Sequence, residues 1–165
     1  MSISSDTFRS IVGAFPTGVT VVTAMGDDGQ AKGLTSNAFA SVSANPPLLL
    51  ICVDRRSRSL PTLLEAKSFV VHFLDESAAD LSAVFASRAE DKFAGLEWTP
   101  SRFAGGAPVL RDGVVAHAEC RTHDEVDAGD HVIIVGRIEA GARHEGSPLM
   151  YYQRQYGAWP APVEA

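Results

Sequence analysis

Two polar segments carry side chains that could bind an anionic ligand with a polar ring. The first, Lys32–Ser43, contains four hydroxyls and one amide, and apolar residues flank it. The second, Asp54–Ser59, contains three guanidiniums and two hydroxyls and directly follows an apolar run. Hydroxyl and guanidinium groups donate hydrogen bonds to ring carbonyls and phosphate oxygens. The first segment is equally typical of a polar strand edge, and the second of a solvated charged turn.

The sequence lacks the motifs of several other chemistries. It contains no glycine-rich dinucleotide or P-loop motif, no G-x-S-x-G nucleophile motif and no H-E-x-x-H zinc motif. Cys52 and Cys120 lie far apart inside apolar runs, which is typical of buried reduced thiols rather than of a disulfide or a zinc site. The histidines lack ligand spacing, so no metal site is predicted; they are His72, His117, His123, His131 and His144.

Composition limits the class of protein. The chain has 165 residues, of which 45% are hydrophobic and 21% charged, so we expect one globular domain over residues 1–165. A net charge of -6 disfavours a generic electrostatic grip on nucleic acid. The N-terminus has no signal-peptide pattern, and no apolar run reaches the ~20 residues of a membrane span. A cytoplasmic protein without membrane or nucleic-acid partners is therefore expected.

Helices are predicted at three places. The first, capped by Asp6 or Thr7, follows from an apolar stripe at helical spacing: Phe8, Ile11, Val12 and Phe15. Pro61 begins a second short helix. Ser77 and Asp80 resemble a capping box that opens a third helix, ending near residue 85.

Strands make up most of the remaining prediction. Apolar, β-branched or alternating runs predict strands at Val19–Ala24, Ala31–Ser43 with its following loop, Leu48–Val53, Phe69–Leu74, Val114–Thr122 and His131–Ala140. We expect a loop over 88–106, a turn over 124–130 and a C-terminal helical turn within 148–156. Several strands spaced by turns, with few short helices, favour a mainly β antiparallel barrel over repeated βαβ units.

The order and spacing of several short motifs resemble the flavin reductase family with the FMN-binding split-barrel fold. The polar segment Gly33–Phe39 is followed by Ser41–Ser43, two prolines at 46 and 47, and the apolar run Leu48–Val53. Asp91–Gly95 resembles the segment that covers the flavin, and the triplet Gly129-Asp130-His131 precedes a strand. The resemblance extends from about residue 8 to residue 156, which gives the expected domain core.

The resemblance implies both a fold and an activity. The implied fold is a closed antiparallel split β-barrel of about six strands with a few short helices. A homodimer with flavin near the subunit interface is also implied. The implied activity is NAD(P)H-dependent reduction of FMN or FAD, with reduced flavin passed to a separate flavin-dependent monooxygenase of a two-component system. A flavin-binding sensor or carrier that does not oxidise NADH is the alternative. Neither the flavin nor the nicotinamide preference follows from the sequence.

The resemblance also implies which residues bind the cofactors. Those expected along the isoalloxazine ring and the ribityl chain are Thr35, Ser36, Asn37 and Ala38, with Ser43 nearby. Those expected to offer backbone groups to the ring are Cys52, Val53 and Asp54. Ser57 and Ser59 are expected at the phosphate, helped by an arginine of the same turn. Those expected to close over the flavin are Phe85, Ala86, Lys92 and Phe93, and Tyr156 completes the set. Many members have serine after the asparagine, whereas this chain has Ala38, which removes one hydroxyl.

His131 is the residue to which the resemblance assigns a catalytic part. It would face the nicotinamide and help set the stacking of the two rings. Hydride transfer from nicotinamide to flavin N5 requires no side-chain acid or nucleophile, because the cofactors supply the chemistry. Asp130 is a candidate for holding the His131 ring, but only a weak part is expected, because adjacent strand residues point to opposite faces. A turn histidine without a role is the alternative.

Overall fold

The computed structural model describes residues 3–159 and is mainly β, with three short helices in that range. The helices are α1 Ser5–Val12, α2 Leu60–Ala66 and α3 Ala79–Ala86. The strands are β1 Thr17–Gly18, β2 Thr20–Met25, β3 Ala31–Ser36, β4 Phe39–Ala44, β5 Pro47–Asp54, β6 Ser68–Leu74, β7 Trp98–Pro100, β8 Pro108–Leu110, β9 Val114–Ala128, β10 His131–Arg143, β11 Leu149–Tyr152 and β12 Gln155–Ala158.

Seven of the described strands form one antiparallel sheet in the order β3-β2-β6-β9-β10-β5-β4. The two edge strands, β3 and β4, are consecutive in the chain and are joined by Asn37 and Ala38. Within residues 3–159 no ladder pairs β3 with β4, so hydrogen bonding leaves the sheet open. The sequence-predicted mainly β class is confirmed, and closure of the barrel is not.

One hydrophobic core lies on the concave side of this sheet. Its buried residues come from β2, β5, β6, β9, β10 and α2, and include Ile51 and Phe69, each 0% exposed. Leu34 of β3 and Phe39 of β4 pack against the same cluster, so both edges of the sheet curve around it. Pro61 in the first turn of α2 has no backbone N–H to leave unsatisfied, which favours a helix start at that point. The second predicted helix is therefore confirmed.

Helix α3 packs on the other side of β2 and β3, and a glycine allows its close approach. A Cβ added at Gly33 would lie 2.5 Å from Cε1 of Phe85, which is closer than real Cβ contacts occur. Phe85 is buried at the end of α3 and forms an edge-to-face pair with Phe93, with ring centroids 5.1 Å apart. Gly33 therefore sets the distance between α3 and the sheet edge.

Long-range pairing overturns several local predictions. The expected turn at 124–130 is wrong, because β9 continues to Ala128 and its residues 124–128 pair with β10. The reversal needs only Gly129, at φ +64°, and Asp130. The expected helical turn in 148–156 is also wrong. Strands β11 and β12 form a hairpin there, with Gln153 and Arg154 at positive φ in its turn.

Four further boundaries differ from the predictions. The segment 31–43 contains two strands, because the chain bends at Asn37 and β4 pairs with β5 instead. Ser4, not a later residue, caps α1 by accepting a hydrogen bond from the Thr7 N–H. The Ser77 capping box is wrong: the Ser77 hydroxyl donates to Asp75, and α3 begins at Ala79. The expected loop 88–106 contains β7, which pairs with β8.

No helix in the described part of the chain is long and apolar enough to cross a membrane.

Candidate functional site

A cavity of about 680 Å³ opens beside the link between β3 and β4. One wall comes from β3, this link and the end of β5, and the facing wall comes from the end of α3 and the segment after it. Twelve of the sixteen sequence-predicted site residues line it: Thr35, Ser36, Asn37, Ala38, Cys52, Asp54, Ser57, Ser59, Phe85, Ala86, Lys92 and His131.

Four sequence-predicted residues lie outside this lining. Val53 is 1% exposed because its side chain points into the core between neighbours that face the cavity. Ser43 lies on β4, and its hydroxyl accepts a hydrogen bond from the Asn45 N–H. Phe93 lies behind Phe85, in a smaller recess that adjoins the cavity. Tyr156 reaches the rim from β12, where its hydroxyl lies 2.8 Å from Ser82 Oγ.

The strand end of the cavity has few free polar groups. The Thr35 hydroxyl donates to the Ser82 carbonyl at 2.6 Å, which joins β3 to α3. The Ala38 N–H donates to Ser36 Oγ at 3.1 Å, and the Ser36 hydroxyl hydrogen stays available. The Cys52 N–H donates to the Ala38 carbonyl at 3.0 Å. The N–H groups of both Ala38 and Cys52 are therefore already used. The Cys52 N–H is thus not one of the backbone groups that could donate to a ring.

Cys52 is half-buried at the cavity wall, whereas Cys120 is buried in the core. Both are free cysteines, as the sequence predicts, although only Cys120 is fully covered. Burial raises the pKa of the Cys52 thiol and raises that of Cys120 to about 12. Both therefore stay protonated at neutral pH and are poor nucleophiles.

The opposite end of the cavity is basic, and its arginines differ in what they bind. Arg56 donates to both oxygens of Asp54, with its Nη2 2.7 Å from Oδ2. These hydrogen bonds hold the pKa of Asp54 far below its usual range. Arg55 forms an ion pair with Asp127. Arg58 has no carboxylate within 4.0 Å among residues 3–159, so its guanidinium is available to an anionic ligand.

The two serines of this turn also differ. Ser59 is 6% exposed, and its hydroxyl donates to the Gly33 carbonyl at 2.9 Å. The hydroxyl hydrogen is therefore committed to the fold. Ser57 Oγ only accepts a long bond of 3.3 Å from the Ser59 N–H, and its own hydrogen remains free to donate. Of the two serines expected at a phosphate, Ser57 is thus the better donor.

Lys92 closes the cavity from the α3 side. Its ammonium donates to the Phe85 carbonyl at 2.7 Å and to the Gly33 carbonyl at 3.1 Å. The first of these bonds satisfies a carbonyl at the C-terminal end of α3, where a cation is favourable. Partial burial, with the nearby Arg58 charge, lowers the pKa of Lys92. The lysine therefore fixes the covering segment to both α3 and β3.

His131 stands at the start of β10, on the cavity wall. Its Nδ1 lies 2.7 Å from Asp130 Oδ1, and this bond lowers the pKa of Asp130. A carboxylate can only accept, so Nδ1 carries the proton and Nε2 is left for a ligand. The contact forms because Asp130 lies in the hairpin turn and not in the strand, so the opposite-face argument that made its part weak does not apply.

Arg55 holds the turn that carries His131. Its backbone N–H donates to the Asp130 carbonyl at 3.0 Å, and its Nε donates to the Gly129 carbonyl at 3.1 Å. The ion pair with Asp127 adds a third contact to the same hairpin. Arg55 therefore acts on the position of His131 rather than on the open part of the cavity.

Three residues of the cavity lining were not expected from the sequence, and two more were expected only as unspecified arginines of the basic turn: Leu34, Ser87 and Arg88, then Arg56 and Arg58. The arginines at 56 and 58 were visible as part of a basic turn, but only the fold separates the paired one from the free one. Arg88 lies two residues after the end of α3, and its position after a predicted helix end gave no signal of its own. In the described range, no group of three or more histidine, cysteine or acidic side chains could hold a metal ion.

Comparison with known proteins gives consistent matches over nearly the whole chain. The family model described as "Flavin reductase like domain" matches residues 12–160. A protein named flavin reductase (NADH) from Kitasatospora aureofaciens is 50% identical over 160 residues, covering 96% of this chain and 83% of its own length. The reductase subunit HsaB of a flavin-dependent monooxygenase from Rhodococcus jostii is 39% identical over 150 residues, covering 90% of this chain and 75% of its own.

A solved structure matches closely in shape. The Streptomyces globisporus NADH:FAD oxidoreductase SgcE6, in complex with NAD and FAD fragments, superposes with a TM-score of 0.89 at 30% identity. The match covers 99% of this chain and 100% of the solved chain.

Proposed function

The chain belongs to the flavin reductase like domain family, and on that premise we propose that it reduces a flavin with NADH. The observation that carries the proposal is the division of one cavity into two ends. A basic end offers the uncommitted donors of Ser57 and Arg58, and the other end is formed by the β3–β4 link beside His131. Such a cavity suits a ligand with an anionic tail and a flat polar ring.

The residues present fit a flavin nucleotide. The Ser57 hydroxyl and the Arg58 guanidinium would hold the phosphate, since charge-assisted bonds to phosphate are strong. Residues 35–38 would lie along the ribityl chain and ring, with the Ser36 hydroxyl as the available donor. Phe85 and Lys92 would exclude water from the covered side. When bound, flavin and nicotinamide supply the hydride chemistry themselves.

The work of the protein is therefore to position the two rings. Asp130 holds His131 Nδ1, so the imidazole would present Nε2 to the carboxamide of a bound nicotinamide. Arg55 keeps this turn against the end of β5. Holding two reactants in a fixed geometry lowers the entropic part of the barrier, which is where most of the acceleration would arise.

The closed split barrel is also part of the proposal. Asn37 and Ala38 bring the two edge strands together, and the Cys52 N–H bonds to the Ala38 carbonyl beyond the β4 ladder. Leu34 and Phe39 pack on one core from opposite edges. We propose that side-chain packing closes the barrel where no ladder does, and that the region from about 8 to 156 forms the core of one domain.

A homodimer would cover the apolar face of α1. Phe8 and Ile11 are 55% and 61% exposed, and Phe15 beyond the helix is 74% exposed. The groove that contains Phe8 and Phe15 also includes Asn37 and Ala38, which line the cavity. A second copy seated there would place the flavin near the interface. Sedimentation at micromolar concentration should give a mass near two chains.

Reduced flavin would leave the site to serve a separate monooxygenase. HsaB of Rhodococcus jostii is named as the reductase subunit of a flavin-dependent monooxygenase, and this chain matches 75% of its length. A cavity with few free donors suits moderate affinity and release of product. We also propose that the protein works in the cytoplasm, where NADH would be available to it.

Steady-state NADH oxidation tests the proposal. With protein stripped of flavin, the rate should rise steeply as FMN or FAD is added, because the proposed site brings NADH and flavin together for hydride transfer. NADPH in place of NADH gives the nicotinamide preference. Equal rates without any flavin would contradict the proposal. Tight flavin binding without NADH oxidation would instead indicate the sensor or carrier.

A further inference from the structure

A small recess adjoins the basic end of the cavity. It encloses about 100 Å³ and shares Arg58, Ser59 and Lys92 with the cavity lining. Lys32 lines the recess but not the cavity. The two spaces therefore meet at Arg58 and Lys92, and the recess extends beyond the point proposed for the flavin phosphate.

Positive charge dominates the recess. Three cationic side chains line it, against the single carboxylate of Glu90: Lys32, Arg58 and Lys92. None of the three has a carboxylate within 4.0 Å among residues 3–159. Lys92 is held in place by two carbonyl oxygens, which satisfy its hydrogen bonding without neutralising its charge. Burial and the neighbouring Arg58 destabilise its charged form. An anion in the recess would relieve this repulsion.

We propose that this recess binds the second phosphate of FAD, so that the chain holds FAD more tightly than FMN. The inference rests on the proposed function and adds a flavin specificity to it. FMN and FAD carry similar total charge near neutral pH, so charge alone would not separate them. FAD has two adjacent phosphates, and only a site with two adjoining basic spaces holds both. The phosphate of FMN reaches the first space and leaves Lys32 without a partner.

Lys32 is the residue that determines this specificity. Its ammonium donates to the Gln30 side chain at 3.1 Å, which leaves further hydrogens for a phosphate oxygen. It lies on β3, one residue before Gly33, so its backbone is fixed by the β2 ladder. Arg58 and Lys92 serve both spaces, and changing either would affect both flavins. Of the three cationic side chains, only Lys32 lines the recess without lining the cavity, so changing it should affect the second phosphate and not the first.

Titration of FMN and FAD into the flavin-free protein tests the proposal. The wild type should bind FAD more tightly than FMN. Lys32→Gln should weaken FAD binding about tenfold, the scale of one hydrogen bond to a charged group, and Lys32→Glu should weaken it further. FMN affinity should change less than about twofold in Lys32→Gln, which also shows that the variant is folded. Arg102→Gln removes the same charge from an exposed loop and serves as the control.

Three results would overturn the assignment. The first is equal affinity of the wild type for FMN and FAD. The second is an equal loss for both flavins in Lys32→Gln, which would indicate a general effect on the site. The third is a loss confined to NADPH, measured as its KM against that of NADH, since the 2′-phosphate of NADPH would then be the occupant. Failure of the proposed function looks different, because neither flavin would then support NADH oxidation.

Discussion

The interior of the sheet and the rim of the cavity use the same residue types in opposite ways. His72 is 0% exposed, and both ring nitrogens bind the protein: Nδ1 lies 3.1 Å from the Val21 carbonyl, and Nε2 accepts from the Leu110 N–H at 3.0 Å. His131 uses one nitrogen on Asp130 and leaves the other facing the cavity. Polar groups whose partners are all internal maintain the fold, and those with a free donor or acceptor are available to a ligand.

The largest effect should come from removing the interior histidine. His72→Ala leaves the Leu110 N–H buried without a partner, removes the side-chain bond to the Val21 carbonyl and opens a cavity. We expect a loss of ~2–5 kcal/mol in the free energy of unfolding. Urea denaturation measures it.

The matched change at the rim should affect catalysis instead of folding. His131→Ala should change the unfolding free energy by less than about 0.5 kcal/mol. It should lower kcat/KM for NADH, with a loss of transition-state stabilisation of ~1–3 kcal/mol. His131→Asn should lower kcat/KM less. Stopped-flow reduction of bound flavin by NADH measures the rate. Wild-type reduction by both variants would make His131 a turn residue without a role.

A second effect should appear where the fold and the site meet. A Cβ at Gly33 would lie 2.5 Å from Phe85 Cε1 and 3.1 Å from the Val22 carbonyl, so Gly33→Ala should cost ~1–3 kcal/mol through overpacking. The displaced Phe85 ring lines the cavity, so flavin affinity should fall as well. Gly18→Ala is the control, because a Cβ there meets nothing within 4 Å. Thermal unfolding and a flavin titration on both variants give the two readouts.

As the pH falls, the buried histidines should lower the free energy of unfolding before the carboxylates begin to take up protons. Burial lowers the pKa of His72 from 6.5 to about 3, and burial also lowers the pKa of His117. Between pH 6.5 and about pH 3, the unfolded chain binds a proton at His72 that the folded chain does not, so the free energy of unfolding falls as the pH drops below 6.5. His72 alone contributes up to about 1.4 kcal/mol per pH unit. An unfolding free energy that is flat between pH 6.5 and 5 would contradict a neutral, buried His72.

The smallest effect should come from the residue that holds the turn. Arg55→Ala removes the side-chain contacts to Gly129 and Asp127 but leaves the His131 side chain intact. The value of kcat/KM for NADH should fall several-fold, about 1 kcal/mol, while flavin affinity stays near wild type. Arg55→Lys should recover part of the loss, since it keeps the charge near Asp127. An unchanged rate in Arg55→Ala would show that the turn holds its own geometry.

Local sequence pattern predicted the elements that a short stretch decides. The run Leu48–Val53 is a strand at nearly the expected bounds, because its six apolar residues suit a strand buried in a sheet. The stripe on α1 was read correctly as helical up to Val12, but its apolar face is exposed rather than buried. The extension of β9 to Ala128 was missed, because its polar residues look like a turn until β10 pairs with them.

The same division holds within the candidate site. The family motifs predict that residues 35–38 and the basic turn serve one ligand, and the fold brings both to one cavity. The direction of each donor was not predictable. Ser59 is committed to Gly33, which is 26 residues away, and Arg55 to Gly129, which is 74 residues away. Only the folded chain brings such partners together, so hydrogen-bond partners decide which side chains remain free.

Flavin titration of Ser57→Ala and Ser59→Ala tests this distinction most directly, because the two serines are alike in type and two residues apart. Ser57→Ala should raise the dissociation constant for FMN about tenfold, with unchanged thermal stability and unchanged riboflavin binding, since riboflavin has no phosphate. Ser59→Ala should lower stability by ~0.5–1.5 kcal/mol through the lost bond to Gly33, with a smaller effect on FMN. The account would be contradicted if Ser59→Ala weakened FMN as much as Ser57→Ala at wild-type stability, or if Ser57→Ala weakened riboflavin equally.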